Sequence, residues 1–367
     1  MRRVRCLISI GVATVVSFGF LLRWAGPANG GTPHLARAAN AAEKTRTTSR
    51  DQARSIEPSA TARFPKNVEE FDRMFEDIKD WGRWGPNDQL GAANLITETD
   101  RRQAIALARL GRVVSMAHPY LTASSEGKGN PFEGNGSPFE HTMKQGFSMD
   151  IYKFDYHSFI HTHLDGLCHA PYKGKDYNGY PTAEVNTENG CTKLGVENLK
   201  NGVVTRGILI DIPRLRNVPY LEPGTPVFVE DIEAWEKTAG VKISSGDAIF
   251  LRTGRWARWA KLGPWALSQN EAGFHSSIAP WLKKRGVAFI GSDGGLDVLP
   301  SLVENGPFEP LHVLSINALG IAILDNHDLE AVAETAAALN RWEFMVIIAP
   351  LVVTGGTGSP VNSLAIF

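Results

Sequence analysis

Five residues in the stretch YHSFIHTHLDGLCHAPY (156–172) could do chemistry together: His157, His161, His163, Asp165 and His169, all odd-numbered. In a β-strand alternate side chains share a face. Odd parity therefore points His157, His161, His163 and Asp165 to one side, with His169 at the strand's end or on its continuation. Two or three imidazoles with a carboxylate form a donor set suited to a divalent ion, Zn²⁺ or Mn²⁺ before others. Burying those groups without a cation or partners would be expensive. The nucleotide and serine-hydrolase signatures are missing: the sequence holds no P-loop, no G-x-G-x-x-G after a strand and no G-x-S-x-G. TGGTGSP (354–360) lacks the Lys-Ser/Thr ending of a phosphate loop and reads as a hairpin turn. A bare H-x-H also occurs in all-β cupins, but the helical patterns after residue 220 argue against that fold.

The elements that must position this cluster alternate between strand and helix. KNVEEFDRMFEDIKDW, from Lys66, spaces Val68, Phe71, Met74, Phe75 and Ile78 as one helix face. Thr97 with Glu98 and Asp100 marks a second helix start, with its end expected near Leu110. Residues 112–120 read as a strand, and the Gly-, Ser-, Pro- and Asn-rich stretch 121–147 as a long loop. GVVTRGILIDIP (202–213), SSGDAIFLRTGRW (244–256) and VAFIGSD (287–293) read as buried strands. Helices are expected from Val229 and over SSIAPWLKKRG, and PLHVLSINALGIAILDN holds a helix and a strand. FMVIIAPLVVTGGTGSPVNSLAIF supplies two strands around a Gly-rich turn. This is an α/β pattern: one domain over 63–367, with a central, largely buried mixed sheet or barrel-like sheet flanked by helices.

A formal charge of -1 in 367 residues gives no electrostatic reason to expect nucleic acid or an anionic membrane as partner. The expected partners are a small-molecule substrate and further copies of the chain. Residues 1–41 have the layout of an export signal: a basic start, an uncharged run from Cys6 to Leu22, then small residues. An uncleaved membrane anchor is the competing reading, and 42–62 reads as a linker. A periplasmic or secreted location follows, in which Cys168 and Cys191 could pair, although a buried free Cys168 accounts equally well for its position.

The stretch HTHLDGLCH resembles the H-x-G-T-H-x-D-x-P-x-H signature of the metal-dependent cyclase family, which includes bacterial kynurenine formamidases and isatin hydrolase. WGPNDQLGAANLIT, SSGDAIFLRTGRW, WLKKRGVAFIGSDG, PLHVLSINALGIAILDN and APLVVTGGTGSPVNSLAIF look like further blocks of its longer members. The resemblance implies a cyclase-like swivelling β/β/α fold and a metal-dependent hydrolase acting on a C–N bond, arylformamidase-like. A true cyclase or lyase, or a binding protein without catalysis, would use the same fold. Thr162, His163, Asp165 and His169 fall on motif positions, and His169 would be the general base. The motif's first histidine falls on Phe159, which cannot ligate a metal. His161, nearer the His163–Asp165 pair, is the expected substitute, with His157 as a further ligand or as its support. His312, with catalytic help, and Asp325, a shorter carboxylate than the glutamate of shorter members, stand where a second ion would bind. Asp293 could orient a ligand histidine, His275 could touch substrate or cap a helix, and Trp81 and Trp84 could cover a ring or simply pack.

Overall fold

The computed structural model describes residues 64–125 and 129–367. The expected export signal and linker lie outside the described residues. Among the described residues no helix is long and apolar enough to cross a membrane.

Nine strands form one curled mixed sheet. Its centre is four parallel neighbours, Val203–Asp211, Ala248–Arg252, Phe289–Ser292 and Ala322–Asp325, in that spatial order. Ile208 to Ile210, Ile249 to Leu251, Phe289, Ile290, Ile323 and Leu324 are all buried. Runs that are apolar on both sides belong in a parallel sheet covered on both faces. Antiparallel strands extend each side. Glu343–Ile348, Leu364–Ile366 and Val113–Ser115 follow Val203–Asp211, while His163–Asp165 and Gly358–Pro360 follow Ala322–Asp325.

Helices cover the sheet. Val68–Ile78 starts where the Asn67 side chain accepts the Glu70 N–H, and it buries Phe71, Met74, Phe75 and Ile78. Glu98–Ile105 starts at the Thr97–Asp100 capping box but ends at Ile105, short of the expected Leu110. Val229–Ala239 stops at Gly240, whose φ of 66° is a left-handed cap.

Three expectations about strands need correction. The cluster is not one long strand, because only His163–Asp165 is extended and paired. The strand expected over 112–120 is confined to Val113–Ser115. The C-terminal segment contributes three strands rather than two, since Gly358–Pro360 pairs separately with His163–Asp165. Glu140–Met143, inside the expected long loop, pairs with Asp150–Lys153 just beyond it in a hairpin whose strands are exposed.

Candidate metal centre

His163 and Asp165 reach one face from their short strand. Asp325, directly opposite His163 on the neighbouring strand, is brought to the same face. Asp325 ends a parallel strand, and the Asp293–Asp297 loop follows the next one over, so the site lies at the strands' carboxyl ends, where open α/β sheets place ligands. His157 comes in from the loop before the strand. The side chains of His157, His163 and Asp165 can bring donor atoms within 4.8 Å of one another, and so can those of Asp165, His312 and Asp325. Asp165 belongs to both groups.

Each of three imidazoles has one nitrogen committed to an outer partner. His163 Nδ1 lies 2.8 Å from the His161 carbonyl, which can only accept a proton, so Nδ1–H donates. His157 Nε2 is 2.8 Å from Thr357 Oγ1. His312 Nδ1 is 2.8 Å from Asp297 Oδ2. The other nitrogens face carboxylates: His157 Nδ1 is 2.7 Å from Asp165 Oδ1, and His163 Nε2 is 3.3 Å from the same oxygen. His312 Nε2 lies 3.2 Å from Asp325 Oδ2 and 3.7 Å from Asp165 Oδ2. An outer hydrogen bond that fixes the tautomer and turns the remaining lone pair inward is how proteins prepare ligand histidines.

A divalent ion fits this donor set. His157 Nδ1, Asp165 Oδ1 and Asp325 Oδ1 are buried and make no hydrogen bond of acceptable geometry among the described residues. Two such atoms only 2.7 Å apart, each lacking a properly aimed proton, are accounted for by a cation that both address.

The electrostatics agree. Burial favours the neutral form of His163, but the charge and hydrogen bond of Asp165, with Asp325 behind, outweigh it and raise its pKa to about 9. His312 is likewise raised against its burial, by Glu309 and Asp325. Asp165 is held well below the carboxylate range despite its own burial, by His169 and His163. His169 goes the other way: burial, only partly countered by Asp165, brings it down to about 4. Its ring stacks on His157 at 4.1 Å and 3°, with Nε2 3.7 Å from Asp165 Oδ2, and its side chain keeps 32% of its exposure.

His161 is not in this cluster. Its Nε2 donates to the Ser137 carbonyl at 2.9 Å, and its ring sits between Tyr120 and Phe154, with centroids at 5.6 and 5.4 Å. The preference for His161 over His157 is therefore reversed, because the chain before His163 is not extended and parity does not carry through it. Asp293 orients no histidine; it accepts the N–H groups of Thr253, Gly254 and Arg255. Trp81 packs, donating to the Asn317 carbonyl at 2.7 Å. His275 caps a short turn through Ser277.

Several contributors carried no signal in the sequence. Asp297 backs His312, and Glu309 lines the cleft of about 100 Å³ beside His157, Phe159, His169, His312 and Asp325. Gly358 pairs with Asp165, and a Cβ there would lie 2.9 Å from His157 Cε1 and 2.3 Å from the Leu164 carbonyl. Arg255 donates to both the Phe159 carbonyl and Asn326 Oδ1, while Asn326 Nδ2 donates to the Ser158 carbonyl at 2.7 Å. These two residues fix the loop that carries His157. Cys168, next to His169, forms a disulfide with Cys191.

The family model described as "Putative cyclase" matches residues 109–296, just over half of the chain. The crystal structure of a novel cyclase matches with 30% identity and a TM-score of 0.70, over 80% of this chain and 99% of that one. The chain belongs to the cyclase family. A lower-scoring match is the crystal structure of an isatin hydrolase bound to the product analogue thioisatinate (17% identity, TM-score 0.49, 74% of this chain and 99% of that one). Isatin hydrolase A from Ralstonia solanacearum matches with 20% identity and a TM-score of 0.47, over 72% of this chain and 95% of that one. No curated protein matches the chain. In this cyclase the position of the motif's first histidine is Phe159, and His157 occupies the space beside Asp165 instead.

Proposed function

We propose that this cyclase is a metal-dependent hydrolase that opens an amide, formamide or lactone-like bond in a small molecule, with arylformamidase-like C–N cleavage as the first choice. The observation that carries the reading is the pair of inward-facing atoms His157 Nδ1 and Asp165 Oδ1, with the His169 ring stacked on His157 beside them.

His157, His163 and Asp165 would hold one ion, and Asp165, His312 and Asp325 offer a second set sharing the same carboxylate. A bound divalent ion, Zn²⁺ or Mn²⁺ on donor chemistry, supplies Lewis acidity toward a carbonyl and activates water. The protein's own part is proton handling and orientation. His169 keeps a free lone pair at neutral pH because burial disfavours its cation, so it accepts the proton of attacking water and returns it to the leaving atom. Its stack on His157 fixes the ring's plane. His312 is held by Asp297 through Nδ1 and turns Nε2 toward Asp325 and Asp165, so it would serve as a ligand of the second set.

The Cys168–Cys191 disulfide supports an oxidising, exported location. A homo-oligomer is supported by apolar surface: Met143, Phe147, Met149, Ile151 and Tyr152 on the exposed hairpin, and Leu351 to Val353 elsewhere. The deciding experiment is a screen of metal-loaded protein on aryl formamides, cyclic imides and lactones. Turnover that disappears in His169→Ala with metal content kept is expected. Metal content well under one ion per chain after loading would refute the proposal.

A further inference from the structure

Outside the metal cleft, two buried charges line one small cavity. Arg255 and Glu271 are each 2% exposed, and with Thr253, Trp265 and Leu267 they enclose about 10 Å³. Arg255 turns its terminal nitrogens toward the site, to the carbonyls of Phe159 and Asp293 and to Asn326 Oδ1. Its Nε makes no hydrogen bond among the described residues. Glu271 Oε1 accepts the Gly295 N–H, and its Oε2 is likewise unbonded. The Gly294–Gly295 pair admits this carboxylate, because a Cβ at 294 would lie 1.8 Å from Oε1. Each side chain feels the other's charge across the cavity, and no direct hydrogen bond joins them.

A buried donor or acceptor left unbonded is costly, and more so when it carries charge. The cavity has room for about one water molecule, which can accept from an N–H and donate to a carboxylate. We propose that Arg255 and Glu271 hold one buried water between Nε and Oε2, and that this bridged pair sets the spacing of the two loops that support the metal donors. Arg255 is the fixed point of the first loop, through the Phe159 carbonyl two residues after His157. Glu271 is the fixed point of the second. Gly295 lies two residues before Asp297, which holds His312 Nδ1 at 2.8 Å, and the Gly294 carbonyl accepts the N–H of Asn326, next to Asp325, at 2.8 Å. Neither side chain is bonded to a metal donor, so both are positioning residues. The inference does not depend on the hydrolase reading.

A high-resolution crystal structure of the full chain tests the bridge. One ordered water within about 3.2 Å of both Arg255 Nε and Glu271 Oε2 is expected. Direct contact between the two atoms, or no water there, would overturn it. Zn²⁺ affinity by chelator competition tests the positioning role. Glu271→Gln keeps an acceptor for Gly295 and a polar group toward the water, so affinity should stay within about twofold of wild type. Glu271→Leu loses both bonds and should weaken Zn²⁺ about tenfold or more, the range for outer support of metal ligands. Val346→Ala, a core truncation in a strand remote from both loops, lowers stability and should leave affinity within about twofold. Should Glu271→Leu not fold, Glu271→Asp, too short to reach Gly295, takes its place with about fivefold weakening expected. Affinity that follows stability alike in the Glu271 and Val346 variants would overturn the positioning role. A protein that shows the water and these effects but hydrolyses nothing would refute the proposed function and leave the bridge standing.

Discussion

Replacing His157 and His161 one at a time separates the structure from the spacing argument. The apparent binding free energy of four-ligand zinc sites, about 10–16 kcal/mol, divides into roughly 3–4 kcal/mol per ligand. Removing a true ligand should therefore weaken metal binding by about 10²–10³-fold. His157 meets that description, with Nδ1 2.7 Å from Asp165 Oδ1 and Nε2 occupied by Thr357. His161 gives its Nε2 to the Ser137 carbonyl and its ring to Tyr120 and Phe154. His161→Ala should thus lose about 1–3 kcal/mol of folding stability, from a buried hydrogen bond and its packing. Its metal affinity should stay within about threefold of wild type, since no donor is lost. The assay is competition with a chromophoric chelator on stripped protein, alongside urea unfolding of the metal-free form. If His161→Ala loses metal as severely as His157→Ala while remaining fully stable, the placement of the ligands is wrong.

Two further outcomes follow from the same site. In the metal-free protein the buried histidines pull stability in opposite directions as pH changes. His169 and His327, lowered to about 4 and about 3 chiefly by burial, leave the unfolded state binding more protons below the ordinary histidine value, so stability falls with acid. His163, raised to about 9 because Asp165 outweighs its burial, contributes stability that is complete below 6.5 and lost as pH rises through 9. Unfolding midpoints of stripped protein between pH 4.5 and 9 check this, and a steady gain in stability from 6.5 to 9 would contradict it. Gly358→Ala should lower stability by about 1–3 kcal/mol, because the new Cβ meets a strand carbonyl. It should also weaken metal binding by displacing the His157 ring; chelator competition with unchanged affinity would show that the ring has other room.

What the sequence made legible depended on how local each signal was. The buried parallel strands were visible because their residues are apolar on both sides, as Ile208 to Ile210 and Ile249 to Leu251 show. The helix start at Thr97 was visible because a cap is a contact within four residues, and the helix after Lys66 was visible from its apolar spacing. His163 and Asp165 obeyed the parity rule, being two apart on one real strand. The rule failed for His161 because strand periodicity holds only where a neighbour pairs with the chain, and residues 157–162 have none in the sheet. In their place, long-range contacts shape the loop: Arg255 and Asn326 hold its carbonyls from 96 and 168 residues away. No local pattern announces such partners. The same reasoning explains how the cluster tolerates Phe159 at a ligand position. A loop pinned from outside can present a histidine two residues earlier to the same carboxylate, provided that the facing strand has a glycine at 358. On the proposed ligand assignment, the place of His157 depends on both the glycine and the buried arginine. Restoring histidine at 159 in a His157→Ala background should recover less than full metal affinity, because Arg255 and Gly295 still seat residue 159 toward Phe308.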